Sequence, residues 1–420
     1  MTFRDKKILG HFDLESTELL IRTSMQCVGA VFLEKLLNSD KGKKATEEYA
    51  QLKEYRNKTL QTVLGKVVVK RAYYYDKQTK TGCCPKDQEL DIEGTSFSPG
   101  LRRIMARVGA YRPFGIGHDD IKELTGLIVT SKEIQRISCK SGEDINKFYE
   151  NEMPDNIIPI PLRKTMYICM DGTGVPVVKR ETRGRKGKYK DGIAKTREAK
   201  LGCVFTQTAV DKDGHPVRDE LSTSYVGAIE TAEKFGDRLY AEACKRGVEK
   251  AGKACVIGDG ALWIWNLSDL HFPDATQIID IFHAREHLWE IAKQIYGKDK
   301  EKIKTWVKKR IKELDKGEVE KVITALQASS PANEEIKEAL QKQVGYFDKN
   351  KERMRYNRFK EQGLFIGSGV IEAGCRAVIG QRLKQSGMHW SVKNANDIIA
   401  LRCCVLSNRW EDFWESRVCA

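Results

Sequence analysis

The sequence predicts an α/β protein: a mixed sheet flanked by helices, with an all-α insertion, preceded by a mostly helical N-terminal region. Three observations lead there. Met166–Met170 and Lys253–Gly258 are short apolar runs without helical period, each followed by Asp-Gly, as expected of buried strands that run into turns. Between them lie two more strand-like runs and an amphipathic stretch, giving the order β-β-β-α-β. From Gly297 to about Gln362 the chain is Lys/Glu-rich at 3.6-like spacing, with only Pro331 as a breaker, which predicts helices throughout.

The totals fit this class. A chain of 420 residues holds two or three domains, and 40% hydrophobic with 31% charged residues describes a folded, water-facing protein. The net charge of +14 points to a polyanionic partner, nucleic acid first. There is no run of eighteen apolar residues and no leader pattern at the start, so a cytoplasmic, nucleoid-associated protein without a membrane partner is expected. None of the twelve cysteines forms a C-x-x-C pair, and Cys169, Cys203 and Cys255 lie in apolar runs. They read as buried free thiols, ahead of disulfides or a zinc ribbon.

Taken in order, residues 14–37 predict an amphipathic helix with Leu19, Leu20, Met25, Val28, Phe32 and Leu36 on its apolar stripe. Residues 60–75 are β-branched and aromatic and predict a hairpin. A helix starts near Leu101, and Asp119–Thr125, Gly126 and Ser131–Ser138 form a helix-turn-helix-like segment. Thr130 and Glu133 make a capping box for its second helix. Gln135 and Arg136 project from that helix as groove-reading side chains; an ordinary αα-hairpin is the alternative.

Pro154–Pro161 is extended and Pro-punctuated, and marks a domain boundary. The expected organisation is 1–155 for the N-terminal DNA-binding region and 162–296 for the first part of a catalytic core. The helical insertion covers 297–364, the second part of the core 365–410, and a tail 411–420.

Lys179–Lys200 carries ten Lys or Arg against three acids, a net +7. Arg183, Arg185, Lys186 and Lys188 are its centre, suited to tracking phosphates. Asp211–Gly214 is a hairpin turn, residues 228–251 an amphipathic helix, 276–281 a strand and 283–296 a helix. Ser368 caps a helix bearing Glu372, Arg376, Arg382 and Lys384, and a last helix covers 394–408.

Asp171, Asp259 and Glu372 are the candidate catalytic acids. Phosphodiester chemistry uses two divalent ions about 4 Å apart, and clustered carboxylates supply their hard oxygen ligands. Two neighbouring strands would present Asp171 and Asp259, and a helix across the sheet would present Glu372. Arg376, one turn on from Glu372, would hold a phosphate. Arg382 and Lys384 extend that basic face toward the DNA backbone. Trp390 is either a base-stacking residue or core, whereas Trp263 and Trp265 read as packing residues.

These residues carry a resemblance. Asp171-Gly-Thr-Gly, Ala194–Phe205, Ile257-Gly-Asp-Gly-Ala, Asp280–His287 and Gly387–Ser391 resemble DDE transposases of bacterial insertion sequences. The likeness is closest to the ISKra-type group, which is similar to the Mutator-like superfamily, and it runs from about Leu101 to Asn408. It implies an RNase H-like catalytic domain with the insertion between the second Asp and the Glu. It implies cleavage at element ends and joining of 3′-hydroxyls to target DNA, using two Mg²⁺ or Mn²⁺ ions held by Asp171, Asp259 and Glu372. Terminal inverted repeats and target DNA would be the partners, bound by a homodimer or higher multimer. Asp280-x-x-His283 matches a signature ahead of the insertion, giving both residues an auxiliary role. Where some relatives carry paired cysteines, this chain has Tyr75-Asp76 and Cys83-Cys84, so no zinc role is assigned there.

Two rival functions fit parts of the sequence. His283-Ala-Arg-Glu286-His287 matches the inverted zinc-protease pattern H-x-x-E-H, but that reaction gives the basic loop no role. A non-catalytic or domesticated DNA-binding protein would use the helix-turn-helix and basic surface alone.

Overall fold

The structure is a computed structural model and describes residues 13–39, 51–151, 165–187 and 192–417. The expected boundary at 154–161 and the basic-loop residue Lys188 lie outside the described residues. Contacts divide the chain into two units, Met1–Ser141 with Asp412–Ala420, and Gly142–Glu411. The C-terminal segment thus belongs with the N-terminal unit.

In the first unit, α1 (Leu14–Ser39) lies on a three-stranded antiparallel sheet of β1 (Gln51–Thr62), β2 (Gly65–Asp76) and β3 (Thr81–Cys83). The face of α1 that meets the sheet is Ala30, Leu33 and Leu37, packed with Leu60, Val67, Val69 and Ile92. This corrects the expected stripe. Leu19, Leu20, Met25, Val28, Phe32 and Leu36 are 45% to 69% exposed, because α1 is apolar on two opposite faces and periodicity alone does not say which one the sheet covers.

After a short α2 (Pro85–Glu89) come α3 (Pro99–Tyr111), α4 (Phe114–Thr125) and α5 (Ser131–Asn151). Leu101, Met105, Ile121, Val129, Ile134 and Ile137 form their shared core. Gly126 takes φ +74° to end α4, a conformation favouring glycine. The capping box is present: the Thr130 N–H donates to Glu133 Oε2 at 2.7 Å, and the Glu133 N–H to Thr130 Oγ1 at 3.2 Å.

The second unit is a mixed α/β fold consistent with the RNase H-like arrangement. Its strands are β4 (Thr165–Pro176), β5 (Thr196–Val210), β6 (Pro216–Arg218), β7 (Ser224–Ala228), β8 (Lys253–Gly258) and β9 (Thr276–Ile279). They order as β6-β5-β4-β8-β9, with β7 also paired to β5. β4 is antiparallel to β5 and parallel to β8, and β8 is parallel to β9. Met166–Met170 and Cys255–Ile257 are fully buried, as a sheet covered on both faces requires. Helices α6 (Ala232–Lys245), α7 (Leu262–His271) and α8 (Ile281–Tyr296) flank the sheet. Cys169, Cys203 and Cys255 are buried free thiols within it, as expected.

The insertion is helical as expected, with α9 (Lys300–Asp315), α10 (Val319–Gln327), α11 (Glu334–Asn350) and α12 (Tyr356–Glu361). The chain then returns through α13 (Gly369–Gly374), a π-helical turn at Cys375–Gly380, α14 (Gln381–Leu383), α15 (Val392–Leu406) and α16 (Trp410–Ser416).

Candidate active site

Hydrogen-bond register puts two of the three predicted acids side by side. The last paired residues of parallel β4 and β8 are Cys169 and Ile257; Asp171 and Asp259 each stand two residues further on. Paired positions on neighbouring strands are about 4.8 Å apart, and both acids follow shortly after the last such pair. Both residues are half-buried. Asp171 Oδ1 accepts the Gly172 N–H at 2.6 Å, and Asp259 Oδ1 accepts the Ala261 N–H at 2.8 Å.

The turn expected after Asp171 is absent. β4 continues to Pro176, with Asp171 opposite Leu201 and Gly174 opposite Glu198 on β5. β8 ends where β4 goes on, so Asp171 sits where the sheet opens. The glycines serve close approach instead of a turn. A Cβ at Gly172 would stand 2.7 Å from Glu198 Oε1, and one at Gly174 3.1 Å from Thr196 Oγ1.

Glu372 lies on α13, and a series of contacts fixes the chain's return from the insertion. The Gln207 side chain donates to the Gly363 carbonyl at 2.8 Å, and the Phe365 N–H donates to the Tyr167 hydroxyl at 3.2 Å. The Phe365 ring stands edge-on to Tyr167 and Phe205, centroids 5.2 and 5.6 Å away. Such a pair is worth about 0.5–1.5 kcal/mol beyond its buried area. The Ile281 N–H donates to the Ile366 carbonyl at 3.0 Å.

Asp280 completes this junction. It is fully buried and caps α8, its Oδ1 accepting the His283 N–H at 3.0 Å and also the Phe282 N–H. Its Oδ2 accepts the N–H of Ser368 at the start of α13. One carboxylate therefore ties together the helix bearing His283 and the helix bearing Glu372. Ser368 Oγ donates to Glu372 Oε1 at 3.2 Å, and His283 Nε2 lies 4.0 Å from the same oxygen. This gives the predicted auxiliary pair distinct positions: Asp280 at the junction, His283 against the acid.

Cys375, one turn beyond Glu372, brings that helix to the first acid. Burial, then the neighbouring Asp171 carboxylate to which it hydrogen-bonds, push its thiol well above the ordinary range. Gly374 permits the approach, since a Cβ there would meet the Tyr225 ring at 2.5 Å. Lys384 Nζ donates to Thr173 Oγ1, two residues past Asp171. Tyr346 of the insertion donates to the Asp259 carbonyl at 3.2 Å. Burial, and then the charges of Asp259 and Asp280, raise its phenol. Sequence reasoning missed Cys375 and Tyr346, neither of which carries a local motif.

The donor set, carboxylate oxygens with one imidazole nearby, has the chemistry of a hard divalent-cation site. Its spacing is not that of a closed cage: among the described residues no three His, Cys, Asp or Glu side chains gather to hold an ion. The H-x-x-E-H pattern also diverges. His283 faces Glu286 at 3.3 Å and Glu372, whereas His287 stacks on Tyr346, centroids 4.0 Å apart, with its Nδ1 2.9 Å from Gln343.

Among the predicted DNA contacts, Arg183, Arg185 and Lys186 are exposed. Just past them, an isolated bridge pairs Lys186 with Ile193, and the Gly187 N–H donates to the Gly192 carbonyl at 2.9 Å. Arg376, Lys384 and Arg136 are exposed and Gln135 is half-buried. Arg382 is different. It is fully buried, with its guanidinium 5.1 Å from the Trp390 ring centroid and 3.8 Å from Met388 Sδ, so it is not part of the exposed basic face. Trp390 is core: 7% exposed, its indole N–H donating to the Leu383 carbonyl at 3.1 Å. A ring so placed does not stack on a base.

Among the described residues no helix is long and apolar enough to cross a membrane. A comparison with curated proteins gives no match. Residues 11–110, which hold α1, the β1–β3 sheet and most of α3, match the model of an uncharacterised protein family, UPF0236.

Proposed function

We propose that this chain is a DDE-type DNA transposase, similar to the ISKra group, that cleaves DNA at element ends and joins the freed 3′-hydroxyls to target DNA. The observation that carries the reading is that Asp171 and Asp259 each stand two residues past the last paired residues of the adjacent parallel strands β4 and β8, with Cys375, three residues past Glu372, beside the Asp171 carboxylate. Asp171, Asp259 and Glu372 would hold two Mg²⁺ or Mn²⁺ ions. When bound, such ions activate the attacking oxygen and stabilise the leaving one.

The chain's own residues supply the rest. Arg183, Arg185 and Lys186 attract the phosphate backbone beside the acids. Asp280 fixes where the Glu372 helix begins, and His283 orients the Glu372 carboxylate. Double-stranded DNA, both end repeats and target, is the substrate.

The test is Asp171→Asn, assayed for strand cleavage, strand transfer and binding on DNA carrying the element's own ends. Loss of both reactions with binding retained supports the proposal. A fall in binding as large as the fall in cleavage makes Asp171 structural, and unchanged cleavage leaves a DNA-binding protein without this chemistry.

A further inference from the structure

We infer that the outward face of α1 is a dimerisation seam that pairs with the same helix of a second copy, running antiparallel. The face opposite the β1–β3 sheet carries Leu14, Ile21, Met25, Val28, Phe32 and Leu36, each 57% to 69% exposed. Steps of four, three and four from Ile21 to Phe32 are heptad spacing. Side chains of this size leave roughly 100 Å² each in water at such exposure. The six together expose about 600 Å² per copy, and with their flanks approach the roughly 800 Å² per partner of a stable interface. A continuous apolar strip of this area marks a docking surface.

Charge identifies the occupant. α1 carries Glu15, Glu18 and Glu34 against Arg22 and Lys35, in a chain of +14. It is a near-neutral helix in a basic protein, unsuited to phosphates and free of self-repulsion. Continued through the helix, the heptad puts two charged residues on the seam, Glu18 and Lys35, both exposed. With two copies parallel, each would face its own kind. With the helices antiparallel about a point between Gln26 and Cys27, the central layers are apolar on both sides, Met25 meeting Val28 and Ile21 meeting Phe32, and Leu14 meets Ser39 at the ends. Glu18 of one copy then meets Lys35 of the other, twice by symmetry. Opposite charges across a seam select orientation and partner, and this sequence is complementary to itself in one direction only.

The test is sedimentation equilibrium of the full chain without DNA, so the outcome is separate from that of the proposed activity. Wild type should sediment at twice 47.8 kDa at micromolar concentration. Val28→Glu and Phe32→Glu change side chains already exposed in one copy, so they should give a monomer with unaltered circular dichroism. Glu18→Lys and Lys35→Glu should each weaken the dimer by about tenfold, and the double swap should restore it. A monomeric wild type, or a dimer indifferent to Val28→Glu, overturns the seam. Charge changes that the double swap does not rescue overturn the antiparallel pairing.

Discussion

The carboxylate of Asp280 accepts the backbone N–H of Ser368, 88 residues further along the chain, and so joins the strand that leads into the insertion to the helix that follows it. Asp280→Ala removes this bond and both α8 cap bonds, leaving donors without their acceptor at a buried position. The expected loss is about 3–5 kcal/mol, read by urea unfolding. Asp280→Asn keeps one acceptor oxygen and should lose roughly half as much. Faster amide exchange should be confined to residues 281–284 and 368–372. An Asn variant as stable as wild type would show that the negative charge is dispensable.

The Gly374–Tyr225 contact sets how near the Glu372 helix lies to the sheet. Gly374→Ala should destabilise by about 1–3 kcal/mol, because a Cβ there overlaps the Tyr225 ring. Tyr225→Leu in the same chain should recover part of that loss. Thermal unfolding of the two singles and the double closes the cycle. Strict additivity would mean that the two positions do not press on each other.

Replacing Arg183, Arg185 and Lys186 together by Ala should flatten the dependence of DNA affinity on salt. Each lost phosphate contact lowers the log–log slope by about 0.9, so a change near three is expected if all three residues reach the backbone. Fluorescence anisotropy across a salt series measures it; an unchanged slope makes these three residues a solvated surface only.

Acid should loosen the insertion at one ion pair. Arg355 donates to both oxygens of Glu320, at 2.6 and 3.0 Å, and holds that carboxyl down at about 2 from an ordinary 4.5. A folded-state value below the unfolded one means the contribution is complete above pH 4.5 and disappears as pH falls toward 2. Glu320 is 59% exposed, so screening limits its worth to below about 1 kcal/mol. The stability gap between wild type and Glu320→Gln should therefore narrow through this window, as followed by urea unfolding at each pH. A gap independent of pH would assign it to packing.

The sequence carries the sheet and its acids plainly, since two apolar runs ending in Asp-Gly need only adjacent parallel strands to bring Asp171 beside Asp259. Other features depend on what packs against what. The apolar residues of α1 show a helix, but only tertiary contact decides that Ala30, Leu33 and Leu37 face inward. Arg382 has the composition of a surface residue, yet it is covered by Trp390 from beyond the helix that carries it. Cys375 acquires its place beside Asp171 from helix packing that no spacing announces. The glycines after Asp171 read as a turn because Gly-rich pairs usually are one; here they admit Glu198 and Thr196 instead.

The unbroken pairing of β4 through Asp171 divides the acids by how much each can give. Asp171 is held in a ladder that continues on both sides of it, so its backbone has no room to swing. Glu372 rides on barely two turns of α-helix before the winding changes to π at Cys375–Gly380, the kind of local irregularity often found at functional sites. In the proposed metal-bound state, any adjustment of the carboxylates would therefore fall to the helix that carries Glu372, with the strand as the fixed reference.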